Sequence, residues 1–328
     1  MTTARRQQIN IEATPYYHCT SRCVRRAFLC GKDHYSGKSH EHRREWVESW
    51  LLKLNEVFCI DLVGYAVMSN HYHVILRINL DEVNALSDEQ VIDRWSVIYK
   101  PDGLMSHYRC GGEVTHDERR VIDETLGRWR ETLVSISRFM GYMNERIARQ
   151  ANEEDECKGR FWEGRFHSQA LLDETALLQC MTYVDLNPIH AGIAQTPETS
   201  EYTSVKHRID KRVSGKDDRL MAFFMPSRAQ RGQSADMLPM TFDNYLELLD
   251  WTGRTARANK SGSIPSSCPD ILSRLGFTGA HWMDSINAQT TWCSRALGAP
   301  EQLKAFSQAI GQHWLWRHRN ASRLPTTP

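Results

Sequence analysis

The chain has 328 residues, a formal net charge of +1, and 41% hydrophobic and 25% charged side chains. This is the composition of an ordinary globular protein, and the length exceeds the roughly 100 to 200 residues of a typical domain. We therefore expect one large domain with additions, or two domains. No apolar run approaches the roughly 20 residues that a membrane-spanning helix needs, so no membrane contact is expected.

The beginning of the chain and its cysteines indicate the compartment. The opening MTTARRQQIN lacks the apolar region of a secretory signal, so a cytoplasmic protein is expected. The nine cysteines include no C-x-x-C pair and are expected to stay reduced. Five of them stand mostly in apolar stretches, which is typical of buried structural thiols: Cys19, Cys23, Cys30, Cys59 and Cys180.

The first part of the chain predicts a strand, a helix and a hairpin. Residues 16–22 (YYHCTSR) favour a strand, whereas residues 42–58 place their apolar side chains at helical spacing. Residues 59–68 and 71–78 are two β-rich runs. Because only a short polar break separates them, they predict two antiparallel strands joined by a tight turn.

The order of the following elements predicts the fold class. Residues 79–130 lean acidic and are interpreted as an insertion with a short helix, and residues 131–150 show a second long helical pattern. A strand is expected at 166–172, and a helix then begins after the N-cap Asp173 and ends before Pro188. This order predicts a ferredoxin-like α+β fold, an antiparallel sheet with helices on one face.

The composition changes near residue 205. Beyond it, charged and turn-rich segments alternate with short apolar helices, which indicates a separate, loosely connected part. We expect a core domain at 1–205 and a mainly helical extension at 206–328. Residues 269–286 fit a helix-turn-helix, and they fit any small helical hairpin equally well. DNA binding and assembly, including a homodimer, are therefore the candidate roles of the extension.

Two histidines mark the first candidate site. In the predicted strand, His71 and His73 share one face and lie about 6.6 Å apart at roughly 3.3 Å per residue. Such a pair can hold a divalent cation when a further ligand joins it, and histidines with an oxygen donor suit magnesium, manganese or zinc to differing degrees. Surface or cleft histidines that bond to solvent show the same spacing, so spacing alone does not decide between the two.

A polar stripe on the last core helix marks the second candidate site. Gln179, Tyr183 and Asn187 recur every four residues beside an apolar face. Tyr183 is either a surface residue or a hydroxyl nucleophile, and Asn187 is either a helix-ending residue or an amide ligand. A phenol of pKa about 10 is a poor nucleophile at neutral pH, so a cation that polarises a phosphate is the help that it needs.

These residues resemble those of a known family, the one-tyrosine HUH transposases, and specifically the REP-associated tyrosine transposases of bacteria. The resemblance covers most of residues 15–205. It rests on HYH at 71–73 and YVDLNPIHAG at 183–192, with the supporting stretches PYYHCTSRCVRRAF at 15–28, GYAVMSNHYHVIL at 64–76 and GRFWEGRFHSQALLDE at 159–174. The insertion and the extension depart from the compact family pattern.

The resemblance implies a site and a reaction. His71, His73 and Asn187 would hold Mg²⁺ or Mn²⁺, and Tyr183 would be the nucleophile. The implied partner is single-stranded or hairpin DNA, and the implied reaction is cleavage and rejoining through a 5′-phosphotyrosine intermediate. The sequence shows no P-loop, which agrees with a route that needs no nucleotide cofactor.

Basic clusters are the expected DNA contacts. Cations bind phosphates and aromatic rings offer stacking surfaces for bases. Charge clusters are usually solvated faces, and here the neighbouring tyrosine helix favours the DNA interpretation. The expected contacts are the cations Arg22, Arg25, Arg26, Arg160 and Arg165 and the rings of Phe161 and Trp162.

Two other functions fit the same residues. A transposase-derived protein that binds DNA hairpins without cutting would keep the basic clusters and could lose the nucleophile. A small metallohydrolase would use His71, His73 and a third histidine such as His18 or His167. Transition-metal dependence without covalent attachment to DNA would distinguish this hydrolase from the transposase.

Overall fold

The computed structural model describes seven stretches of the chain: residues 8–24, 29–32, 37–216, 219–225, 237–258, 278–289 and 295–312. Within these stretches, no helix combines the length and the apolar character that a membrane span requires. The five cysteines predicted to be structural are all buried free thiols, as expected.

Helices outnumber strands among the described residues. The strands are β1 (Tyr16–Arg22), β2 (Ile60–Val67), β3 (His71–Ile78), β4 (His167–Leu171), β5 (Ala222–Phe223), β6 (Met237–Leu238) and β7 (Ala296–Leu297). The helices are α1 (Arg43–Val57), α2 (Leu80–Ala85), α3 (Asp88–Ser96), α4 (Gly103–Arg109), α5 (His116–Leu133), α6 (Ile136–Glu154), α7 (Glu174–His190), α8 (Ser204–Ser214), α9 (Phe242–Ala258), α10 (Gly279–Gln289) and α11 (Pro300–Ala309). The first strand, the first helix and the hairpin lie where the sequence predicted them.

Five strands form one sheet in the order β2-β3-β1-β4-β7. Strand β1 pairs antiparallel with both β3 and β4, β2 pairs antiparallel with β3, and β7 joins β4 in parallel. The hairpin turn is closed by the Met68 N–H, which donates to the His71 carbonyl at 2.9 Å. The mostly antiparallel sheet with its helices confirms the α+β class.

Helices cover both faces of the sheet. Alternation along β1 and β3 sends Tyr17, Cys19, Tyr72 and Val74 into a core that they share with α1 and α6. On the opposite face, Ile75 belongs to a second core that contains α7. The expected arrangement with helices on one face is therefore wrong. Both faces of the central strands carry apolar side chains, so each face needs its own helical cover.

Helix α7 is buried on nearly all sides. Twelve of its seventeen residues are buried, including the polar Gln179, Thr182 and Asp185. Its N-terminus is capped by Asp173, whose carboxylate accepts from the Ala176 N–H at 2.7 Å, as the sequence predicted. A helix with so few exposed positions is held in place from two sides rather than one.

The C-terminus of α7 differs from the prediction. The helix does not end before Pro188 but passes through it to His190. A proline inside a helix removes one hydrogen-bond donor and crowds the preceding turn. Here Pro188 is itself buried, so packing around α7 outweighs that local cost.

The predicted insertion is helical. Helices α2 to α5 lie between residues 80 and 133, and their buried side chains join the core shared with α1 and α6. The helix expected at 131–150 starts later than predicted. Helix α5 ends at Leu133, and Ser135 begins α6 by accepting from the Arg138 N–H at 3.3 Å.

The sequence predicted a loose connection beyond residue 205, but described residues of the extension such as Tyr245 and Trp282 share the second core with α7. The Asp185 carboxylate on α7 accepts from the Ser204 and Tyr245 hydroxyls, both at 2.6 Å, and from the Val205 N–H at 3.1 Å. Burial raises the pKa of Asp185, and these hydrogen bonds oppose that shift. Strand β7 also extends the sheet next to β4. The described residues beyond 205 thus add to the sheet and cover α7.

The helix-turn-helix predicted at 269–286 lies largely outside the described residues. Its last part belongs to α10, which packs into the second core through Trp282 and Ile286. The Trp282 indole N–H donates to the Thr252 hydroxyl on α9 at 2.9 Å. The described part of this segment therefore supports α7.

Replacing Tyr245 with phenylalanine should destabilise the protein by about 1 to 3 kcal/mol, because the buried Asp185 carboxylate loses a donor while the ring is kept. Urea unfolding measures the change in the free energy of unfolding. Tyr99→Phe is the control, since Tyr99 is 47% exposed and the substitution should change stability by less than about 0.5 kcal/mol. Equal effects of the two substitutions would contradict the coupling of α7 to α9.

Candidate functional site

The two predicted histidines stand on the face of β3 that α7 covers. Strand alternation sends Tyr72 to the opposite face, into the core with α1 and α6. His73 is completely buried, with 0% exposure, whereas His71 at the strand end is half-buried. Their ring centroids are 4.7 Å apart. The two imidazoles thus lie side by side, as the strand spacing predicted, and His71 is the one that solvent reaches.

Helix α7 brings the predicted tyrosine and asparagine to this pair. The Asn187 Nδ2 atom lies 3.4 Å from the Nε2 atom of His73. The Tyr183 and His73 ring centroids are 5.8 Å apart, with the rings nearly perpendicular at 81°. Tyr183 is 6% exposed, and Gln179 one turn earlier is buried as well. Tyr183 and Asn187 of the helix thus lie at His73 of the strand, and His71 adjoins His73.

Strand β1 adds a third imidazole, which the sequence suggested only as an alternative metal ligand. The His18 Nε2 atom lies 3.2 Å from the Nδ1 atom of His73. The His18 side chain also hydrogen-bonds Gln169, its register partner on β4. The alternation of side chains along β1 predicts which face of the sheet His18 occupies. Only the strand order β3-β1-β4 places His18 between His73 and Gln169. No local pattern carries that order.

Burial keeps the three imidazoles neutral. It lowers the pKa of His18 to about 4, against a smaller opposing effect of the Gln169 hydrogen bond. It lowers the pKa of His71 to about 4, and the nearby Arg22 acts in the same direction. It holds the pKa of His73 well below its usual value, with the neighbouring His71 and His18 adding to the shift. Neutral imidazole is the form that binds metal ions.

The donor set fits a divalent cation. His71, His73 and Asn187 supply two neutral imidazoles and a side-chain amide where α7 crosses the sheet. Imidazole and amide oxygen donors together suit Mg²⁺, Mn²⁺ and Zn²⁺ to differing degrees. Because these three donors carry no charge, a cation held by them would keep its full positive charge for an anionic substrate.

A second group of potential metal ligands lies elsewhere among the described residues. His40, Glu154 and Asp155 bring three ligand atoms within 4.8 Å of one another. Arg43 binds both carboxylates, and the His42 Nε2 atom lies 2.8 Å from Glu154. The protein itself therefore already compensates the charge of this group, which joins the start of α1 to the end of α6.

Backbone hydrogen bonds fix the turn that precedes His71. The Cys30 N–H donates to the Ser69 carbonyl at 2.9 Å, and the Cys23 N–H donates to the Asn70 carbonyl at 3.0 Å. The Asn70 side-chain oxygen lies 2.6 Å from the Nδ1 atom of His71. These bonds tie the turn to Cys23, which follows Arg22 in the chain, and to Cys30. The Asn70 side chain within the turn contacts the candidate ligand His71.

Of the predicted cations, Arg22 lies beside the candidate metal site. Arg22 is exposed and is the register partner of His71 in the β1–β3 pairing. The Glu163 N–H donates to the Arg22 carbonyl at 2.8 Å, which places the loop of Arg160 and Arg165 alongside. Both of these arginines are exposed. Two other predicted cations lie outside the described residues: Arg25 and Arg26.

The rings of the same loop are not surface features. Phe161 is 3% exposed and Trp162 is 8% exposed, and both belong to the core with α1 and α6. The Trp162 indole N–H donates to the Asn144 carbonyl at 2.8 Å, and its ring packs edge-on against Tyr72. The prediction that these two rings offer stacking surfaces for bases is therefore wrong, because the core has already buried them.

Comparison with known proteins gives one similar solved structure to report. It is described as "Structure of the REP associates tyrosine transposase bound to a REP hairpin" and shares 13% sequence identity at a TM-score of 0.35. The match covers 65% of this chain and 87% of that chain. No protein-family model and no curated protein matches this chain. At this identity and TM-score, the similarity assigns no role to any residue.

The free energy of unfolding, measured with a chelator present, should fall as the pH falls from about 6.5 towards 4. In this range the unfolded chain protonates its histidines at about pH 6.5, whereas the folded chain keeps His18, His71 and His73 neutral. The unfolded state then binds more protons, so stability rises with pH and is lost on acidification. Urea unfolding at about pH 7, 6 and 5 measures the slope.

The variant His73→Gln isolates the contribution of one imidazole to this slope, because the carboxylates contribute equally to the slopes of the variant and the wild-type protein. It should reduce the slope by up to about 1.4 kcal/mol per pH unit. An unchanged slope would mean that His73 takes up a proton in the folded protein too.

Proposed function

We propose that this protein is a metal-dependent transposase or endonuclease that cleaves and rejoins hairpin-flanked single-stranded DNA through a 5′-phosphotyrosine intermediate. One observation carries the proposal: Tyr183 and Asn187 on α7 meet His73 and, beside it, His71 on β3. A tyrosine side chain close to neutral metal-binding donors is the combination that tyrosine-mediated phosphoryl transfer needs.

The proposed reaction exchanges one phosphate ester for another. The Tyr183 hydroxyl oxygen attacks the scissile phosphorus and gives up its proton, and the bond from phosphorus to the 3′ oxygen breaks. The departing 3′ oxygen takes up a proton, which leaves a 5′-phosphotyrosine and a free 3′-OH. Because the number of phosphodiester bonds is conserved, the reverse reaction rejoins the strand without a nucleotide cofactor.

His71, His73 and Asn187 would hold Mg²⁺ or Mn²⁺ in this proposal. When bound, the cation supplies Lewis-acid chemistry by polarising a phosphate oxygen. The protein contributes donors that carry no charge. It also buries His73, which keeps that imidazole unprotonated and excludes water from one side of the site. Tyr183 is held by the same helix as Asn187, so the nucleophile and the ligand move together.

We also propose that residues 1–205 form a ferredoxin-like HUH core. The strands and crossover helices run β1-α1-β2-β3-α6-β4, and the strands lie in the antiparallel order β2-β3-β1-β4. This is the split βαβ pattern. The helices between residues 79 and 130 and the extension at 206–328 are then additions, and the extension serves to hold α7 against the sheet.

The proposed DNA path runs past Arg22 and the loop of Arg160 and Arg165. These three cations are exposed, and Arg22 adjoins His71 in the sheet. Phosphate contacts by arginine position a nucleic acid without reading its sequence. In this arrangement the backbone phosphates enter at the half-buried His71, which is the accessible side of the site.

The metallohydrolase alternative is less well supported. It needs a third histidine that points at the same cation as His71 and His73. The His18 Nε2 atom instead faces the Nδ1 atom of His73 at 3.2 Å, so these two nitrogens satisfy each other. The DNA cleavage experiment described next distinguishes the non-cutting DNA binder from the transposase.

Tyr183→Phe should abolish strand cleavage and the covalent adduct together, because it removes the attacking oxygen and keeps the ring. Labelled hairpin DNA with single-stranded flanks is incubated with the protein and Mn²⁺, and a denaturing gel then reports protein that carries DNA. The wild-type protein should form an adduct attached through the 5′ end of the DNA, and excess chelator should prevent it.

Tyr99→Phe is the matched control and should form the adduct at the wild-type level. An adduct that peptide mapping places on Tyr65, Tyr72 or Tyr142 would overturn the assignment of Tyr183. Cleavage by Tyr183→Phe with only free DNA products would identify water as the nucleophile. Hairpin binding by the wild-type protein without any cleavage would support the non-cutting DNA binder.

Arg22→Ala should weaken hairpin binding and reduce its dependence on salt. Each lost phosphate contact lowers the slope of log K against log salt by roughly 0.7 to 0.9. Arg149→Ala is the matched control, since Arg149 is also exposed but lies on α6, where it pairs with Glu145 at 2.5 Å. Binding titrations at several salt concentrations give both slopes, and equal slopes for the two variants would remove Arg22 from the DNA path.

A further inference from the structure

His73 is held between two polar side chains, one at each ring nitrogen. On one side its Nδ1 atom lies 3.2 Å from His18 Nε2, and on the other its Nε2 atom lies 3.4 Å from Asn187 Nδ2. The His18 and His73 rings are nearly parallel at 14°, with centroids 5.4 Å apart. The contact of His18 Nε2 with His73 Nδ1 has the distance and geometry of a hydrogen bond, so the two rings meet through these nitrogens.

These contacts define which nitrogen of His73 carries its proton. An amide nitrogen can only donate, so the Nε2 atom of His73 accepts from Asn187 and carries no hydrogen. The proton of the neutral ring is then on Nδ1, where it is donated to His18 Nε2. Because His18 Nε2 then accepts from His73, neutral His18 carries its own proton on Nδ1. The His18 side chain is also hydrogen-bonded to Gln169.

His71 shows the same preference through a different partner. Its Nδ1 atom lies 2.6 Å from the Asn70 side-chain oxygen. A carbonyl oxygen only accepts, so the His71 proton is on Nδ1 and its Nε2 atom keeps a lone pair. The turn that carries Asn70 is fixed by the backbone bonds to Cys23 and Cys30.

We propose that His18 and Asn70 are positioning residues that fix both His71 and His73 in the Nδ1–H tautomer, so that each ring presents an unprotonated Nε2 atom to one divalent cation. The cation would then replace the Asn187 N–H at His73 Nε2, and Asn187 would offer its amide oxygen instead. This inference rests on the proposed function, which puts the cation at His71 and His73. A histidine ligand must present an unprotonated nitrogen, and the partner of its other nitrogen selects the tautomer and orients the ring. Gln169 extends the chain by one further hydrogen bond.

Two pairs of variants separate positioning from packing. His18→Phe keeps a ring but removes the acceptor, whereas His18→Gln keeps an acceptor. Asn70→Ala removes the oxygen that faces His71, whereas Asn70→Asp retains one. His116→Gln is the control, since His116 is an exposed histidine at the start of α5, in the insertion. Thermal unfolding checks that each variant is folded.

The first measurement is ¹⁵N NMR of histidine-labelled, metal-free protein, in which protonated and unprotonated ring nitrogens have different shifts. Wild-type protein should show Nδ1–H for His71 and His73. His18→Phe should change the His73 nitrogen shifts, and Asn70→Ala should change those of His71. Unchanged shifts in both variants, or an Nε2–H tautomer in the wild type, would overturn the proposal.

The second measurement is the affinity for Mn²⁺ in the absence of DNA, determined by calorimetry or electron paramagnetic resonance. His18→Phe and Asn70→Ala should each weaken binding about 10- to 100-fold, as is typical for loss of such a partner. His18→Gln and Asn70→Asp should recover most of the affinity, and His116→Gln should retain all of it. Equal affinities of the Phe, Gln and wild-type proteins would overturn the role of His18, and a wild-type protein that binds no Mn²⁺ would overturn the whole inference.

Neither measurement contains DNA, so the outcome is independent of whether Tyr183 is the nucleophile. If the tautomers and Mn²⁺ affinities behave as expected while no DNA adduct forms, the positioning role stands and the transposase proposal fails. If the adduct forms on Tyr183 while His18→Phe and Asn70→Ala bind Mn²⁺ normally, the transposase proposal stands and the positioning role fails.

Discussion

The packing of α7 between the sheet and the C-terminal helices is the constraint on which the rest of this structure depends. One side of the helix carries Tyr183 and Asn187 to His73, and Asp185 bonds to Ser204 and Tyr245 beyond the sheet. Because α7 is buried on both sides, a shift of the helix towards one partner would cost contacts with the other. The position of the candidate nucleophile is therefore set by packing and hydrogen bonds that are remote from it in sequence.

The candidate site combines buried neutral groups with cations at its edge. Burial lowers the pKa of His18, His71 and His73, so they are neutral near pH 7. The hydrogen bonds of His18 to His73 and of His71 to Asn70 then orient the rings. Positive charge is found outside, at the exposed Arg22. None of the proposed ligands is a carboxylate, so no negative charge among them would repel an anionic substrate from a bound cation. The same neutrality makes the metal-free protein sensitive to acid, since each buried imidazole resists protonation only while the fold persists.

The two additions to the core have different relations to the site. The helices between residues 80 and 133 pack on the face of the sheet with α1 and α6, and they share none of the second core that contains α7. The extension instead supplies α9 and α10 to that second core and bonds Asp185 through Tyr245. A substitution in the extension can thus disturb Tyr183 at a distance, whereas one in the insertion would have to act through the sheet.

The sequence by itself determined the local features: the strand that presents His71 and His73 on one face, the polar stripe of Tyr183 and Asn187, the Asp173 cap and the α+β class. Each is a matter of periodicity or of one residue beside its neighbours in the chain. Only the tertiary structure decided that β1 lies next to β3, that helices cover both faces of the sheet, that Phe161 and Trp162 are buried, and that α7 continues through Pro188. These four features depend on the free energy of contacts between segments that are distant in the chain. Such contacts outweigh local conformational preferences, and they produce no periodic pattern in the sequence. His18 shows the difference most clearly, since its place in a strand is a local property, while its contact with His73 exists only because the sheet puts two strands side by side.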